Sequence, residues 1–521
     1  MADRPDPVIR AIGAASAALV AAATLGTLAA VASKADALPR LTPSDWAAIR
    51  FTLTQAVLSA VVSVLLAIPV ARALARRRFP GRGLLVTLLG APFILPTIVA
   101  VLGLLAVFGN NGLISQVLQW FGFEPVHIYG LHGVVLAHVF LNMPLATRLI
   151  LQGWLAIPAE RFRLAASLDF SPADTLRYLE VPMLRAVAPG ALLLIFLICT
   201  TSFAVALTLG GGPRGTTVEL AIYQAFRFEF DLGKAALLAL VQFGICAVAA
   251  VLILQAALPA GFGGGLDRTV ERWGISTLGL RLQDAAVTVL AALFLVTPLA
   301  VIVADGLPRL LTLPAEVLEA AVRSLWVALV AAALTVVLAL SMALLAEGRG
   351  AAWRGFIGFL GSLSIAVSPL VIGTGLFILL FPIADPVALA LPVTALVNAV
   401  MSLPFAYRAV APALAETDLL FGRLSASLGM SGWARLRLVV LPRLRRPLGF
   451  AAGLAAALSM GDLGVIALFA APEQATLPMQ LYRLMASYRM EEAAGAALLL
   501  LVLSLALFWV LDRGGRMRAV A

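Results

Sequence analysis

Uninterrupted apolar runs about twenty residues long are the feature that most restricts the fold of this chain. Examples are residues 11–32 (AIGAASAALVAAATLGTLAAVA), 235–254 (AALLALVQFGICAVAAVLIL) and 495–511 (GAALLLLVLSLALFWVL). A helix of this length crosses the hydrocarbon core of a bilayer, and the runs are too long and too uniformly apolar for barrel strands. Charged residues make up only 12% of the chain, against roughly 25% in soluble domains. The sequence therefore predicts an all-α integral membrane protein.

About twelve such runs follow one another along the chain. They lie near residues 10–32, 51–71, 84–108, 131–151, 187–209, 236–257, 284–304, 322–345, 356–381, 387–405, 448–470 and 493–511. Two arginines, an apolar stretch and a small-residue segment near the start also resemble a signal peptide. The apolar stretch is longer than the core of an ordinary signal peptide, so we expect the first run to be a transmembrane helix.

The basic residues are unevenly distributed among the loops between these runs. If the N-terminus lies inside, most of the 37 lysine and arginine residues fall on the inner side. Cytoplasmic loops of membrane proteins are enriched in these residues. We therefore expect both termini in the cytoplasm, and we attribute the net charge of +10 to membrane topology rather than to binding of nucleic acid.

The second half of the sequence repeats the first. NMPLATR at 142–148 aligns with SLPFAYR at 402–408, half a chain later. Each half holds about six spans, and an even number gives both halves the same orientation, so the repeat is parallel rather than inverted. We therefore divide the chain into a first half (1–258), a cytoplasmic joint (259–282) and a second half (283–521).

A charged segment that ends in proline occupies the loop between the fourth and fifth spans of each half. The first loop segment is SLDFSPADTLRYLEVP at 167–182, and the second loop segment is SLGMSGWARLRLVVLP at 427–442. Either segment alone could be an interfacial helix that rests on lipid headgroups. Because two copies occur at matched positions, the pattern favours a pair of docking elements for a partner.

The first loop segment carries the signature of a helix N-terminus. Ser171, Pro172 and Asp174 have the residue types of an N-cap, a first helical residue and a capping partner. We expect a short helix that runs to about Tyr178. Pro182 is expected to end this segment before the next span, since proline disfavours the helix interior.

The second loop segment has fewer signals of this kind. Ser431 is expected to cap a helix that begins at Gly432 and Trp433, and Pro442 is expected to end it. The sequence thus predicts two short, capped helices, each held between two spans.

The second loop segment resembles the cytoplasmic "EAA" loop of the permeases of ATP-binding-cassette (ABC) importers. Leu428, Gly429, Ser431, Leu441 and Pro442 occupy the places expected from that pattern. In that family the loop forms a coupling helix that sits in a groove of an ATPase subunit. The resemblance therefore implies that each loop segment contacts one ATPase.

The first loop segment departs from this pattern. Asp169 stands where glycine is usual, Val181 precedes the proline, and the acidic residue that names the motif is replaced by Arg163 and Arg423 in the two copies. These departures place the expected ATPase contact on the later residues of each segment. The residues that the resemblance assigns to the coupling loops are Ser167, Leu168, Ser171, Asp174, Arg177, Pro182, Ser427, Leu428, Gly429, Ser431, Trp433, Arg435, Arg437 and Pro442.

Further stretches extend the resemblance over nearly the whole chain. They include RRRFPGRG at 76–83, LAHVFLNMPLATR at 136–148, LGGGPRGTTVELAIYQA at 209–225 and LSMGDLGVIALF at 458–469. These stretches look like those of the fused ABC permeases that import thiamine and thiamine pyrophosphate. Fused permeases of the ferric-iron type share the same duplicated architecture and are the alternative within the ABC class.

The resemblance implies a type I ABC importer permease fold and a set of partners. These are two copies of a cytoplasmic ABC ATPase, a periplasmic substrate-binding protein and the lipid bilayer of the bacterial inner membrane. Only the resemblance indicates thiamine and its phosphate esters as substrates; the repeat itself indicates a duplicated permease.

Polar residues within the spans are candidates for a translocation pathway. Asp462 is the most informative, because a mid-membrane aspartate costs about 2.5–3.5 kcal/mol on insertion scales. It aligns with Ser202 and could meet a cationic substrate in a central cavity, or it could be a structural hydrogen-bond partner near the outer interface. Asn142 and Asn398 complete the candidate set, although interhelical hydrogen bonding is the simpler interpretation for both.

Sequence motifs for catalysis are absent. The chain contains no G-x-x-x-x-G-K-[ST] motif, no Ser/His/Asp or Cys/His constellation and no zinc-ligand spacing. Cys199 and Cys246 lie singly in apolar runs, as core residues do. We therefore expect a transport subunit without catalytic residues, metal or cofactor, with ATP hydrolysis on a separate chain.

A secondary transporter of the major facilitator type, driven by an ion gradient, is the rival from another class. It also has twelve spans in two similar halves, and its signature loop is superficially similar to residues 76–83. Residues 76–83, however, lack the acidic residue that the signature loop of that family usually contains.

Overall fold

A computed structural model describes residues 7–35, 41–90, 94–212, 215–255 and 277–516. These ranges contain eleven helices that are long and apolar enough to cross a membrane, a twelfth candidate made of two helices bent by 95°, and no β-strand. In chain order they are α1 (Pro7–Lys34), α2 (Pro43–Arg76), α3 (Thr97–Trp120), α4 (Leu131–Leu155), α5 (Pro172–Thr200), α6 (Leu232–Ile253), α7 (Leu278–Thr312), α8 (Ala315–Ala346), α9 (Ala351–Ala366 with Pro369–Leu380), α10 (Ala390–Ser427), α11 (Gly432–Phe469) and α12 (Met490–Arg516). The all-α membrane fold is confirmed.

Most spans are longer than the sequence predicted, and the difference is largest for two of them. The apolar runs indicated 387–405 and 448–470, whereas α10 and α11 are each 38 residues long. The helices continue because the residues beyond the apolar runs, although charged, are good helix formers. Both therefore extend past the length that a bilayer core requires, and together they carry the second loop segment.

One end of the helix bundle gathers most of the arginines, and we call it the basic end. Here α2, α4, α8, α10 and α12 end, and α5, α7, α9 and α11 begin. An ion pair between Arg77 Nε and Asp284 Oδ2, 2.7 Å apart, joins the end of α2 to the start of α7. Both loop segments lie at this end.

The first helix of each half packs on the other half. α1 lies against α8 and α9 as well as α6, and α7 lies against α2 and α3 as well as α12. The hydroxyl oxygens of Ser16 and Ser341, 2.8 Å apart, link α1 to α8. The first apolar run is thus part of the packed structure. Residues 259–276 of the expected joint (259–282) lie outside the described residues, and the proposed division of the chain stays a prediction.

Glycines permit close approach where α7 packs on α3 and where α1 packs on α9, which are equivalent contacts between the two halves. At Gly103 of α3, an added Cβ would lie 2.8 Å from Ile302 Cδ1 and 2.9 Å from the carbonyl oxygen of Pro298 in α7. At Gly375 of α9, it would lie 2.5 Å from both Cβ and the carbonyl oxygen of Thr27 in α1. Small residues at helix crossings are a general means of packing in membranes. Here they allow the first helix of each half to pack on the other half, an arrangement that we call the exchange of α1 and α7.

Several spans are interrupted near the middle of the bundle. α5 ends before a separate helix Phe203–Leu209, and α11 is broken between Met460 and Gly464. α9 is broken just before Pro369, and the regular part of α3 begins directly after Pro96. These interruptions meet at one place, the central cavity described below.

Candidate functional site

The first loop segment forms the capped helix start that the sequence predicted. The side chain of Ser171 accepts a hydrogen bond from the Asp174 N–H (3.2 Å), and the Ser171 N–H donates to Asp174 Oδ2 (3.1 Å). Pro172 occupies the first helical position, where its missing N–H costs nothing. The predicted capping box is confirmed.

The second loop segment begins differently, and the prediction that Ser431 caps it is wrong. The Ser431 side chain makes no capping hydrogen bond. The following residue, Gly432, is left-handed with φ of 53°, whereas proline holds the equivalent position of the first segment. A left-handed residue turns the first helical N–H groups away from the serine, while the ring of Pro172 fixes a helical φ.

Pro182 and Pro442 do not end their segments, which corrects a second prediction. Each lies in the first turn of a helix that continues into the span, directly after a π-helical turn, Leu176–Glu180 or Leu436–Val440. A proline ring clashes with the carbonyl four residues earlier in an α-helix. The wider π turn relieves this clash, so each loop segment is joined to its span by continuous helix.

The two loop segments differ at the residue that ends the preceding helix. Gly429 has φ of 65° and Asp169 has φ of 52°. Both form the same helix-ending hydrogen bonds, from Phe170 N–H to the Ala165 carbonyl and from Met430 N–H to the Ser425 carbonyl. Left-handed backbone is unfavourable for residues with a Cβ, although aspartate tolerates it better than most.

This difference predicts that substitutions at the two positions have opposite effects on stability. Asp169→Gly should stabilise the protein by about 0.5–1 kcal/mol, and Gly429→Ala should destabilise it by about 1 kcal/mol. A Cβ at Gly429 meets no atom within 4 Å, so only the backbone conformation is tested. Thermal unfolding of the purified variants measures the effect, and a shift in the same direction for both variants would contradict the assignment.

Ion pairs fix the first loop segment to the basic end. Glu180, which is fully buried, lies 2.6 Å from Arg72 Nε and 3.4 Å from Arg76 Nη2, both near the end of α2. Arg76 also approaches Asp284 of α7 at 3.9 Å. The first loop segment is therefore connected to a helix of its own half and, through that helix, to the other half.

The second loop segment is fixed by the same kind of contact with the charges reversed. Arg435 Nη2 lies 2.6 Å from Glu347, directly after α8, and 2.9 Å from Asp418 of α10. Burial raises the pKa of Glu347 above its ordinary value, and the hydrogen bond and charge of Arg435 oppose this shift. Arg435, expected as a coupling residue, is thus held within the chain itself.

Apolar side chains of both loop segments are exposed at the basic end. Leu168 and Tyr178 are exposed in the first segment, and Leu428, Trp433 and Leu438 are each 65% exposed in the second. The surfaces of Arg177 and Arg437 are also open. The hydroxyls of the remaining two predicted residues donate to carbonyls of their own helices, Ser167 to Leu164 and Ser427 to Leu424.

A cavity of about 360 Å³ lies where the interrupted spans meet. Of the predicted pathway residues, Asp462, Ser202 and Asn142 line it, and they come from both halves. Asn142 Nδ2 donates to the His138 carbonyl at 2.9 Å. Asn398 is not among the lining residues; its Nδ2 donates to Ser459 Oγ at 2.9 Å. The structure thus brings three of the four candidates together.

Two ionisable residues also line this cavity and were absent from the predicted pathway set. Glu219 is the second residue of the helix Val218–Arg227, and His138 lies in the first half of α4. The available signal for Glu219 was an acidic residue in the otherwise apolar VELAIYQAF, at the position where the second half has Pro478. Because the residues before Glu219 are not apolar, the sequence indicated that Glu219 belongs to a loop rather than to a span.

A second cavity of about 900 Å³ lies toward the basic end. Arg148, Arg446, Asp512 and Arg516 line it. It shares four apolar lining residues with the central cavity, and these stand between the two chambers: Ile94, Leu141, Leu145 and Phe405. An acidic inner chamber and a basic vestibule are therefore separated by an apolar constriction.

Comparison with known proteins identifies the family. No protein-family model matches the chain. It is 41% identical over 518 residues to the thiamine transport system permease protein ThiP of Brucella abortus (strain 2308), covering 97% of this chain and 95% of the relative. The chain belongs to the thiamine transport system permease family. The corresponding proteins of Salmonella typhimurium and Escherichia coli are 41% and 40% identical, each over 90% of this chain and 89% of the relative.

Membership of this family confirms a fused ABC permease with the type I fold. The chain is a transport subunit and a multi-pass protein of the inner membrane, and it belongs to a class that works with ATPase and substrate-binding partners. The major facilitator alternative is thereby removed. Within this permease, the loop segments and the central cavity are the two places at which the family's activity can be sought.

Proposed function

We propose that this permease is the membrane subunit of an ATP-driven importer that carries thiamine and its phosphate esters into the cytoplasm. The observation that supports the substrate is the 41% identity, across 97% of the chain, to a relative named as a thiamine transport permease. A separate ATPase hydrolyses ATP, and a periplasmic binding protein delivers the substrate. Two ATPase copies are proposed because the chain carries two loop segments at matched positions.

The basic end faces the cytoplasm in this proposal, and both termini lie on that side. Its arginines agree with the enrichment of basic residues in cytoplasmic loops. The exposed apolar side chains at Trp433 and Leu438 then lie in water rather than in lipid, where a patch of this kind marks a protein contact. We assign this surface and its counterpart around Tyr178 to the two ATPases.

Closure of the ATPases would move both loop segments, and the ion pairs determine where that movement goes. The Glu180 contacts pass it from the first segment to α2, and Arg435 passes it from the second segment to α8 and α10. The continuous helices after the π turns pass it to α5 and α11 as well. Each ATPase therefore moves several spans of its own half together.

The proposed pathway runs through the central cavity, the apolar constriction and the basic vestibule. Asp462, Ser202 and Asn142 face the substrate in the cavity, while Asn398 positions the wall beside Asp462 through Ser459. A thiamine phosphate ester carries a cationic ring and an anionic group. The acidic cavity and the arginine-lined vestibule offer complementary charge to the two parts in succession.

Uptake of labelled thiamine pyrophosphate into proteoliposomes, with the ATPase and binding protein present, tests this proposal. Trp433→Asp combined with Leu438→Asp should reduce ATP-dependent uptake at least about ten-fold, because a charge in the centre of an apolar contact costs about 2 kcal/mol or more. Leu436 is unsuitable as a target, since it is only 9% exposed and packs within the permease.

Leu278→Asp provides the matched control, because Leu278 is 72% exposed and lies at the basic end outside both loop segments. Its uptake should equal that of the unchanged protein. Undiminished uptake by the double variant would remove the assigned ATPase surface. Uptake driven by an ion gradient without ATPase would overturn the ATP-coupled mechanism altogether.

A further inference from the structure

The carboxylate of Glu219 is buried without serving any visible structural purpose. The side chain is fully buried, and neither of its oxygens has a partner within normal hydrogen-bond geometry among the residues that the structure describes, although the Ser368 hydroxyl lies near enough to interact with it. It stands at the start of a helix, but Thr217 already caps that helix by accepting from the Leu220 N–H at 3.3 Å. The neighbouring hydroxyl oxygen of Ser368 accepts the Val371 N–H of its own helix. A buried carboxylate in this condition is costly.

Asp462 presents a second unpartnered carboxylate oxygen to the same cavity. Its Oδ1 accepts a hydrogen bond from the Gly464 N–H at 3.2 Å, whereas Oδ2 has no partner within the described ranges. His138 adds a further open polar atom: Nδ1 lies 3.2 Å from Ser59 Oγ, and Nε2 is buried without a partner among the described residues. All three side chains line the cavity.

The rest of the cavity wall suits a flat organic cation. Phe203 and Phe405 contribute aromatic surface from the two halves, and no lysine or arginine is among the described lining residues. Aromatic faces attract cationic groups. The volume of about 360 Å³ falls at the lower end of the range for small-molecule sites, about 300–1,000 Å³.

We propose that the central cavity is a binding site within the permease for an organic monocation of the size of thiamine, with Glu219 and Asp462 as its counter-charges and His138 Nε2 as a hydrogen-bonding group. The identity of the cation rests on the proposed function. The four unpartnered atoms, two on Glu219 and one each on Asp462 and His138, are desolvated during folding and gain interactions when the cation enters. The permease thereby selects its substrate independently of the binding protein.

The two carboxylates act from different halves of the chain. Glu219 belongs to the first half and Asp462 to the second, so a cation between them draws together the spans that the loop segments move. Occupation of the site then favours the arrangement in which the halves are close. With the cavity empty, no ligand links the two carboxyl groups across the halves.

Glu219→Gln and Asp462→Asn test the site in the full-length permease, purified in nanodiscs without the binding protein. The probes are thiamine and the uncharged analogue in which a carbon atom replaces the quaternary nitrogen. The unchanged permease should bind thiamine more tightly than the analogue. Each variant should lose about ten-fold in affinity for thiamine, the cost of one charge-assisted contact, and keep its affinity for the analogue. Glu124→Gln and Asp385→Asn, at exposed acidic residues, are the matched controls.

Thermal unfolding separates ligand binding from a structural role. Neutralising an unpartnered buried carboxylate removes its desolvation cost, so the Tm of both variants should equal or exceed that of the unchanged protein. A lowered Tm together with lost binding would show that the carboxylates support the fold, and it would overturn the site. Equal binding of both probes, or unchanged binding by both variants, would overturn it too.

Uptake by the complete transporter distinguishes failure of this inference from failure of the proposed function. Thiamine uptake that is normal in both variants, with unchanged binding, leaves the proposed function standing and removes the cavity site. Absence of ATP-dependent thiamine uptake by the unchanged transporter, with selective cation binding that the variants lose, removes the proposed substrate and leaves the cavity as a cation site.

Discussion

Replacement of Glu180 by alanine is expected to lower the free energy of unfolding by about 3–5 kcal/mol, the usual cost of breaking a buried ion pair from one side. The glutamate is fully buried and bonded to Arg72 at 2.6 Å. Its removal takes away the negative charge that both Arg72 and Arg76 contact, and the two positive charges then repel each other. Thermal or denaturant unfolding of the purified protein measures this loss of stability.

The exposed pair between Glu229 and Lys234 provides the control for this prediction. Their side chains are 2.9 Å apart, but both are accessible to solvent, so Glu229→Ala should cost at most about 1 kcal/mol. Arg435→Ala should behave like Glu180→Ala, because Arg435 holds the second loop segment through Glu347 and Asp418. Equal, small effects of all three substitutions would show that these ion pairs do not hold the loop segments.

Gly375→Leu is expected to prevent the normal packing of α1 on α9 and to destabilise the protein by about 3 kcal/mol or more, at the upper end of the overpacking range. Even a methyl group there would lie 2.5 Å from the backbone oxygen of Thr27. Backbone atoms cannot rotate away as a flexible side chain does, so the helices must separate. The yield of monodisperse protein and its Tm measure the effect.

Gly355→Leu is the matched substitution in the same span. Gly355 lies in the exposed first segment of α9, and a Cβ there meets no atom within 4 Å. Its replacement should leave yield and Tm close to those of the unchanged protein. If Gly375→Leu were tolerated equally well, the close contact between α1 and α9 would be refuted.

Local and periodic properties of this protein could be predicted from its sequence. The spans follow from runs of apolar residues, and the capping box at Ser171 and Asp174 follows from residues three positions apart. The prediction for Ser431 failed because the left-handed conformation of Gly432 depends on how the whole segment meets its neighbours. The prolines failed as stop signals because a π turn, which has no sequence signature of its own, accommodates them.

Properties that depend on distant residues could not be predicted. The partners of Glu180 are about a hundred positions away in α2, and no periodicity connects them. Asp462 was found because an acid inside a span is costly wherever it lies. Glu219 was missed because it lies between spans, where an acid is ordinary, and only the folded chain carries it into the cavity. The packing of α1 and α7 on the opposite halves likewise cannot be predicted from the order of the spans.

This exchange has a consequence for the biosynthesis of the protein. α1 leaves the ribosome well before α8 and α9, the partners that are made only after Ala315 has been reached. At about 5–20 residues per second, α1 therefore spends tens of seconds in the bilayer before most of its binding surface exists. Its threonines suit this delay: Thr24 and Thr27 donate to the carbonyls of Val20 and Ala23 within α1. The helix enters the membrane with these hydroxyls already satisfied, and insertion can precede assembly.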